Sequence, residues 1–423
     1  MEEQLLQFIW HRGLFNHIDL MTTGQEALEV IHTGMPNQDQ GPDFVQARIR
    51  IGDQIWAGHV EIHIRSSAWF LHMHEHDSHY NNVILHVVWE EDTPAFTQDG
   101  YRIPCLELAP RVDIALLNRY RHLMNNEEWV PCASALMTVS EIIRTGWLQR
   151  LMAERLEAKS AQVLRILERC AYDWEQTFYT LLARQMGAPA NGDAMEELAS
   201  RIPLKLIRKH QDRPDQMEAL LFGAAGMLGK EAPGDYAVQL KKEFDFLLRK
   251  YSLRPMPALQ WKFMRMRPAH FPTIRIAQLA AILTEVEFFV SRIEHGTQAQ
   301  TWIDLFSVRP KQVYWHTHYH FAAEAETASG RVGRSTAITL LINVVIPFMF
   351  VYGKHMGNRT IKAMALTMAE DLPAEKNAVM NGWSACGWSP KDAGQSQALL
   401  YLKKQYCDHR RCLHCAIGLQ VLK

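Results

Sequence analysis

Residues 43–64 alternate apolar and polar side chains over two runs separated by Gly52-Asp53, which is typical of a β-hairpin. Successive side chains of a strand point to opposite faces, so one face of this hairpin packs on a core while the other carries polar groups. Gly58 interrupts the second run and marks a possible bulge. The apolar face consists of Val45, Ala47, Ile49, Ile51, Ile55, Ala57, Val60, Ile62 and Ile64.

The polar face of the second run carries His59, Glu61 and His63, and Asp43 follows Gly41-Pro42 at the start of the first run. Carboxylate oxygens suit Mg²⁺ or Mn²⁺, so Asp43 and Glu61 are the candidate metal ligands. His63 either orients the attacking water or is a third ligand, and an imidazole ligand favours Mn²⁺ or Zn²⁺. The alternative is a turn aspartate and a solvent-facing strand glutamate.

The pattern around this hairpin predicts a compact α/β module over residues 1–111. A short helix is expected over residues 2–15, a strand buried on both faces over 83–90 and a further strand over 102–108. Residues 112–375 have helical periodicity almost throughout, and residues 376–423 form a small helical tail with cysteines. The predicted fold class is therefore α+β, with an all-α region after the N-terminal module.

Charge is distributed unevenly along the 423 residues. Residues 1–110 contain 5 arginines, no lysine and 16 acidic residues, a net charge of −11, whereas the whole chain carries −1. The remainder is therefore basic by +10, which suits a cation site beside a surface for an anionic polymer. The stretch from Trp261 to Arg275 interleaves aromatic and basic residues, and the candidate contacts to nucleic acid are Lys262, Arg265, Arg267 and Arg275. A helix end that merely exposes its charges is the alternative.

Four histidines lie between residues 72 and 79. In a helix, residues 72, 76 and 79 share one face, where imidazoles bind Zn²⁺ or phosphate, or are simply solvated. The groups expected to support the site are Asn37, Asp39, His76, His79 and Tyr80. His86, inside an apolar strand, is expected to be a hydrogen-bonded core residue.

The tail contains a second candidate metal site, formed by Cys407, His409, Cys412 and Cys415. Closely spaced thiolates bind Zn²⁺ or an iron–sulfur cluster, and tetrahedral closure needs a fourth donor, which His409 or Cys386 could provide. Partly buried thiols without a metal are the alternative. Seven cysteines in a chain without an export signal argue against disulfides, and no apolar run reaches the length of a membrane helix. A soluble cytoplasmic protein is expected.

The order helix, strand with Pro-Asp, strand with Glu61-x-His63, helix and buried strand resembles the core of the PD-(D/E)XK nuclease superfamily. The resemblance implies that Asp43 and Glu61 bind Mg²⁺ and that residue 63 helps to activate water. His63 stands where the superfamily has lysine, and residues 1–158 contain no lysine.

Nearly the whole chain also resembles a bacterial family of uncharacterised proteins, to which no activity is assigned. The motifs that carry this resemblance are Gly41-Pro-Asp-Phe, Val60-Glu-Ile-His, Asn82-Val-Ile-Leu-His-Val-Val, Trp261-Lys-Phe-Met-Arg-Met-Arg-Pro and Ser396-Gln-Ala-Leu-Leu.

These observations lead to one main functional hypothesis, a metal-dependent nuclease with Asp43, Glu61 and His63 at its site. Two alternatives stay open. One is a nucleic-acid-binding or scaffolding protein with a degenerate nuclease core, and the other is a hydrolase that binds Zn²⁺ through histidines.

Overall fold

The computed structural model describes all residues except 38, 230–233, 258–259, 322 and 326–328. The chain divides into two compact units, one formed by Met1–Arg144 with Lys403–Lys423 and the other by Thr145–Leu402. This division differs from the three consecutive segments expected from the sequence. The first unit extends past residue 111, and the end of the cysteine-containing tail belongs to it.

A mixed β-sheet forms the centre of the first unit. Its strands are β1 (Leu28–His32), β2 (Met35–Pro36), β3 (Phe44–Ile51), β4 (Gln54–Arg65), β5 (Val83–Glu90) and β6 (Cys105–Glu107). They lie in the order β1-β3-β4-β5-β6, with β2 paired to β3. The pairs β1–β3 and β3–β4 are antiparallel, whereas β4–β5 and β5–β6 are parallel. The expected hairpin and the strand at 83–90 are confirmed, but β1 and β2 were not predicted.

The β3–β4 hairpin is irregular at the end that carries Asp43. Its register shifts between Phe44 and Ala47, and Gln46 adopts a φ of 58° in the left-handed region. One extra residue in β3 at this point re-aims the side chains that precede it, as bulges beside functional sites commonly do. A second shift, between His59 and Val60 in the β4–β5 pair, lies directly after Gly58.

The helices of the first unit cover the sheet and bring the tail back to it. The helix Glu3–Arg12 buries Leu5, Leu6, Ile9 and Trp10, contacts β4 and ends at Gly13, whose φ of 61° suits glycine at a helix C-terminus. The other helices are Ala68–Leu71, Ile114–Asn125 and Ala416–Leu422. The last of these contacts Ile114–Asn125, and Arg119 donates a 2.9 Å hydrogen bond to the carbonyl of Leu422.

The second unit is almost entirely helical, which together with the sheet of the first unit confirms the α+β class. The helices of this unit and of the segment leading into it are Glu141–Arg169, Trp174–Gly187, Gly192–Arg201, Leu204–Arg208, Pro214–Ala224, Asp235–Tyr251, Pro272–Glu285, Phe289–Glu294, Ala299–Phe306, Arg334–Leu340, Ile346–His355, Arg359–Glu370, Ala378–Ala385 and Ala393–Leu402. A small antiparallel pair, β7 (His318–His320) with β8 (Ala323–Glu324), departs from the expected all-α region.

Among the described residues, one helical segment, Arg334–His355, is long and apolar enough to cross a membrane, but 78% of its most apolar window is buried inside the protein. It contains a π-helical turn over Leu341–Val345, directly before the helix that carries Pro347 near its start. The burial is that of a core helix. Pro347, which has no N–H to donate to a helical hydrogen bond, lies two residues after the π-helical turn.

Replacing Gly58 with alanine should destabilise the first unit. A Cβ atom at Gly58 would lie 2.6 Å from the carbonyl oxygen of Asn82 and 2.5 Å from Cγ2 of Ile84, so the β4–β5 pair would have to separate. We expect a loss of about 2 kcal/mol, measured as a lower midpoint of thermal unfolding. Gly24→Ala is the control, because its Cβ would meet only the Thr22 hydroxyl at 3.5 Å. Equal midpoints for the two variants would contradict this packing.

Candidate metal centre

Asp43 and Glu61 hold each other in place across the β3–β4 pair. The backbone N–H of Asp43 donates a 2.9 Å hydrogen bond to Oε2 of Glu61, and the backbone N–H of Ile62 donates a 3.1 Å bond to Oδ2 of Asp43. Each carboxylate thus accepts a bond from the strand opposite its own. The two acidic groups converge, as the sequence predicts, at the bulged end of the hairpin.

The N-terminal helix adds two groups that the sequence analysis did not identify. Gln7 donates a 3.0 Å hydrogen bond from Nε2 to Oδ1 of Asp43. Glu3, one turn earlier, has its pKa raised by burial, with opposing contributions from His72 and Glu61. The spacing of Glu3 and Gln7 places both on one helix face. That spacing was the available signal, but only the tertiary packing shows what the face meets.

In the part of the chain that the structure describes, no lysine or arginine compensates the acidic pair. Among the described residues, neither Asp43 nor Glu61 forms an ion pair with Arg or Lys, and Oε1 of Glu61 instead lies near the imidazole nitrogens of His63 and His74. Burial, and then repulsion from Glu61, raise the pKa of Asp43 from 3.8 to about 7. Two carboxylates so placed do not ionise together without a cation between or beside them.

His63 lies at the centre of a chain of imidazoles, with 1% of its surface exposed. Its Nδ1 is 2.9 Å from Nε2 of His86, and its Nε2 is 3.1 Å from Nδ1 of His72. Burial lowers the pKa of His63 to about 2 and that of His86 to about 3. Both rings are therefore neutral at physiological pH. His86 is fully buried and hydrogen-bonded, as expected from its apolar strand.

The segment after β4 directs His72 and His74 toward His63. The helix Ala68–Leu71 is only four residues long, Met73 adopts a left-handed φ of 60°, and a 3₁₀ turn begins at His74. The single helix considered for residues 72–79 is therefore wrong. Backbone reversal at Met73 brings residues 72 and 74, rather than 72, 76 and 79, to the same side.

Nitrogen atoms of His63, His72 and His74 all lie within 4.8 Å of one another, close enough to share one metal ion. Nε2 of His74 is buried, has no hydrogen-bond partner among the described residues and lies 3.4 Å from Oε1 of Glu61. The same oxygen is 3.6 Å from Nε2 of His63. An unsatisfied buried nitrogen facing a carboxylate is the arrangement that a bound cation would complete.

Aromatic packing fixes the orientation of these imidazoles. The Tyr80 ring stacks on His74 with centroids 3.8 Å apart, and fully buried Trp69 contacts the rings of His74 and His86. Burial, followed by Glu61 and Asp43, raises the pKa of Tyr80 to about 12, so its hydroxyl stays protonated. Tyr80 is thus beside the site, where the sequence analysis placed it.

The other supporting residues have different positions. Asn37 shapes the loop before Asp43, since its Nδ2 donates a 3.1 Å bond to the carbonyl of Pro42 and its N–H a 2.7 Å bond to the carbonyl of Asp43. Asp39 is exposed in the same loop. His76 and His79 are exposed and face the acidic side chains of Glu75 and Asp77, so they do not join the imidazole group.

The proposed nucleic-acid contacts lie in the second unit and separate into two groups. Lys262, Arg265 and Arg267 are exposed. Arg275 is buried and donates hydrogen bonds to Gln278 and His270, at 2.9 Å each. Arg275 is therefore a structural residue rather than a surface contact for phosphate. The basic–aromatic pattern does not distinguish the two positions, because it does not show that residues 262–267 precede the buried helix Pro272–Glu285, which contains Arg275.

The candidate ligands in the tail also differ in how far they are buried. Cys412 and Cys415 are buried and Cys407 is half-buried, whereas His409 is exposed. Cys386, the other fourth ligand considered, belongs to the second unit.

Residues 3–378 match the model of a family described as a protein of unknown function, DUF2851. The chain belongs to the DUF2851 family. No curated protein and no solved structure matches it. The likeness of the whole chain to an uncharacterised family is thereby confirmed. The nuclease resemblance of this DUF2851 protein stays a prediction that depends on the site alone.

The raised pKa of Asp43 predicts how its replacement changes the pH dependence of stability. Asp43 is protonated in the folded protein below pH 7, whereas in the unfolded chain it ionises near its ordinary value of 3.8. The contribution of Asp43 to the free energy of unfolding is therefore fully present below about pH 4 and is lost as the pH rises toward 7. Without metal, the free energy of unfolding of Asp43→Asn, taken relative to that of the wild type, should therefore increase by on the order of 2 kcal/mol from pH 5 to pH 8.

Thermal unfolding midpoints at the two pH values test this expectation. Asp53→Asn is the matched control, because Asp53 is exposed in the hairpin turn and should show no such gain. If the unfolding midpoints of the wild type and Asp43→Asn change equally with pH, the ionised acidic pair does not destabilise the folded protein.

Proposed function

We propose that this protein is a metal-dependent phosphodiesterase that acts on nucleic acid, with its site in the first unit. The supporting observation is the convergence of Asp43 and Glu61, without Arg or Lys partners among the described residues, beside three clustered imidazoles. A divalent cation there would lower the pKa of a bound water and offset charge on a phosphoryl group. A cytoplasmic location is part of the proposal.

The ligand chemistry favours Mn²⁺ or Zn²⁺ over Mg²⁺. Carboxylates alone suit Mg²⁺, but Glu61 shares its oxygen Oε1 between His63 and His74 at 3.6 and 3.4 Å. Imidazole nitrogen is a softer donor and shifts preference toward transition metals. Neutral rings are the form that binds metals, and His63 is held neutral by its burial.

His63 suits the role of a ligand better than that of a general base. A general base works best when its pKa is near the operating pH, whereas the pKa of His63 is about 2. The departure from lysine at this position therefore fits a site in which the metal activates the water. Asp43 and Glu61 would orient the ion and hold the cation in the site through their carboxylates.

A strand of nucleic acid requires positive side chains as well as a metal. The exposed Lys262, Arg265 and Arg267 of the second unit support this part of the proposal, together with the basic balance of residues 111–423. Contacts with phosphates release counterions, so binding should weaken steeply as salt concentration rises.

A catalytically inactive nucleic-acid-binding protein is the second candidate. One observation favours it, since both nitrogens of His63 are already within hydrogen-bond distance of other histidines. Metal binding through Nε2 requires the contact with His72 to open. Binding of nucleic acid without cleavage under every divalent ion would identify this candidate.

Glu61→Gln should abolish cleavage. The amide keeps the size of the side chain but removes the charge that holds a cation, so the rate should fall by at least about 100-fold. The assay uses labelled single- and double-stranded DNA and RNA with Mg²⁺, Mn²⁺ or Zn²⁺. Glu29→Gln, at an exposed glutamate in β1, is the control and should retain wild-type activity. Cleavage that survives in Glu61→Gln would reject the proposed site.

Metal affinity should depend on His72 and His74 but not on His76 and His79. Substituting asparagine for either of the first two should weaken Mn²⁺ or Zn²⁺ binding by about 10- to 100-fold in titration calorimetry. The same substitution at His76 or His79 is a close control, because these residues lie in the same segment and are exposed. Equal losses for all four histidines would indicate nonspecific surface binding.

A further inference from the structure

The tail, which carries three cysteines, folds back onto the segment that carries a fourth one, Cys132. The segment 403–415 is tightly wound, with a π-helical turn over Lys403–Cys407 and a 3₁₀ turn over Cys412–His414. The N–H of Arg410 donates to the carbonyl of Cys407 at 3.1 Å, and the N–H of Cys415 donates to that of Cys412 at 3.2 Å. These turns gather residues 407, 412 and 415 into one small volume.

Arg410 connects this turn to the loop that carries Cys132. Its guanidinium donates to the carbonyl of Met124 and, at 3.0 Å, to that of Asn126. The side chain of Asn126 in turn donates a 3.0 Å bond to the carbonyl of Pro131, the residue before Cys132. Two consecutive hydrogen-bonded steps thus lead from the tail to the fourth cysteine.

Other contacts hold the same two segments together. The ammonium of Lys403 lies 5.0 Å from the centroid of the Trp129 ring, and the helix Ala416–Leu422 contacts the 3₁₀ helix Ala133–Thr138. Gly418 allows this close packing, since a Cβ there would lie 2.3 Å from the carbonyl oxygen of Cys412. The approach of the tail to residues 129–138 is therefore built into the packing of the unit.

Burial places the four thiols in one water-poor region. Cys132, Cys412 and Cys415 expose 9%, 7% and 7% of their surfaces, and Cys407 is half-buried. After burial, the neighbouring Cys415, Cys132 and Cys412 contribute to raising the pKa of the Cys407 thiol. Four thiols that influence one another in this way match a thiolate ligand set, which a metal would hold deprotonated.

We propose that Cys132, Cys407, Cys412 and Cys415 form a four-thiolate site for an iron–sulfur cluster. Cys132 replaces both fourth donors considered from the sequence, because His409 is exposed and Cys386 belongs to the other unit.

The spacing of the sulfur atoms differs between a site for an iron–sulfur cluster and a site for a single zinc ion. Tetrahedral Zn²⁺ with Zn–S bonds of about 2.3 Å requires its sulfurs to lie within about 4 Å of one another. Among the described residues, the group whose ligand atoms all fall within 4.8 Å is that of His63, His72 and His74, and no three of these cysteines form such a group. Thiolates that bind different irons of one cluster stand farther apart than this limit, so the spacing argues against a single Zn²⁺ ion and is compatible with a cluster.

The test is the metal content of the full chain, purified without oxygen and reconstituted with iron and sulfide. We expect about four irons and four acid-labile sulfides per chain, with a broad absorption that dithionite bleaches. Cys132→Ser and Cys412→Ser should each lower bound iron by at least about fourfold. Cys386→Ser and His409→Ala are the controls and should retain full iron.

Alkylation of the wild-type protein gives a second measurement that needs no variant. In the reconstituted protein, iodoacetamide should label these four cysteines only after the iron is chelated, as read by peptide mass spectrometry. Cys170 and Cys386 should be labelled equally before and after chelation. Stoichiometric zinc without iron, full iron in Cys132→Ser, or labelling of Cys132 that does not change with chelation would each overturn the proposal.

Discussion

The reciprocal hydrogen bonds between Asp43 and Glu61 are the constraint on which the rest of the site depends. Each carboxylate accepts an N–H from the opposite strand, so neither can move without losing its hydrogen bond to that strand. The bulge between Phe44 and Ala47 makes this exchange possible by re-aiming residue 43. Two acidic groups are thereby fixed close together, Glu61 buried and Asp43 half-buried, and their repulsion when both ionise is the electrostatic cost that a cation would relieve.

Patterns of short range allowed much of the fold to be predicted. The alternation around Gly52-Asp53 predicted the hairpin, and the apolar run at 83–90 predicted β5, since each pattern reflects which faces of a strand are buried. The strands β1 and β2 were missed. In β1, only Leu28 is buried, so this edge strand has little apolar periodicity to reveal it.

Features that depend on distant contacts were not predictable in the same way. The positions of His72 and His74 depend on the left-handed backbone of Met73, a residue type that gives no sign of that conformation. In the sequence, Glu3 and Gln7 look like polar residues of an ordinary amphipathic helix. Their place beside the site follows only from the packing of that helix on β4. The burial of Arg275 likewise follows from the partners His270 and Gln278, which no charge pattern indicates.

The tail's return to the first unit has a consequence for the order in which this protein is made. Residues 403–423 complete a unit that begins with residues 1–144, and the whole of Thr145–Leu402 is synthesised in between. At about 5–20 residues per second, a ribosome needs on the order of tens of seconds to reach them. During that interval, the nascent chain carries Cys132 and the helix Ile114–Asn125 without their final neighbours. That surface is therefore open to other molecules of the cell before the polypeptide itself covers it.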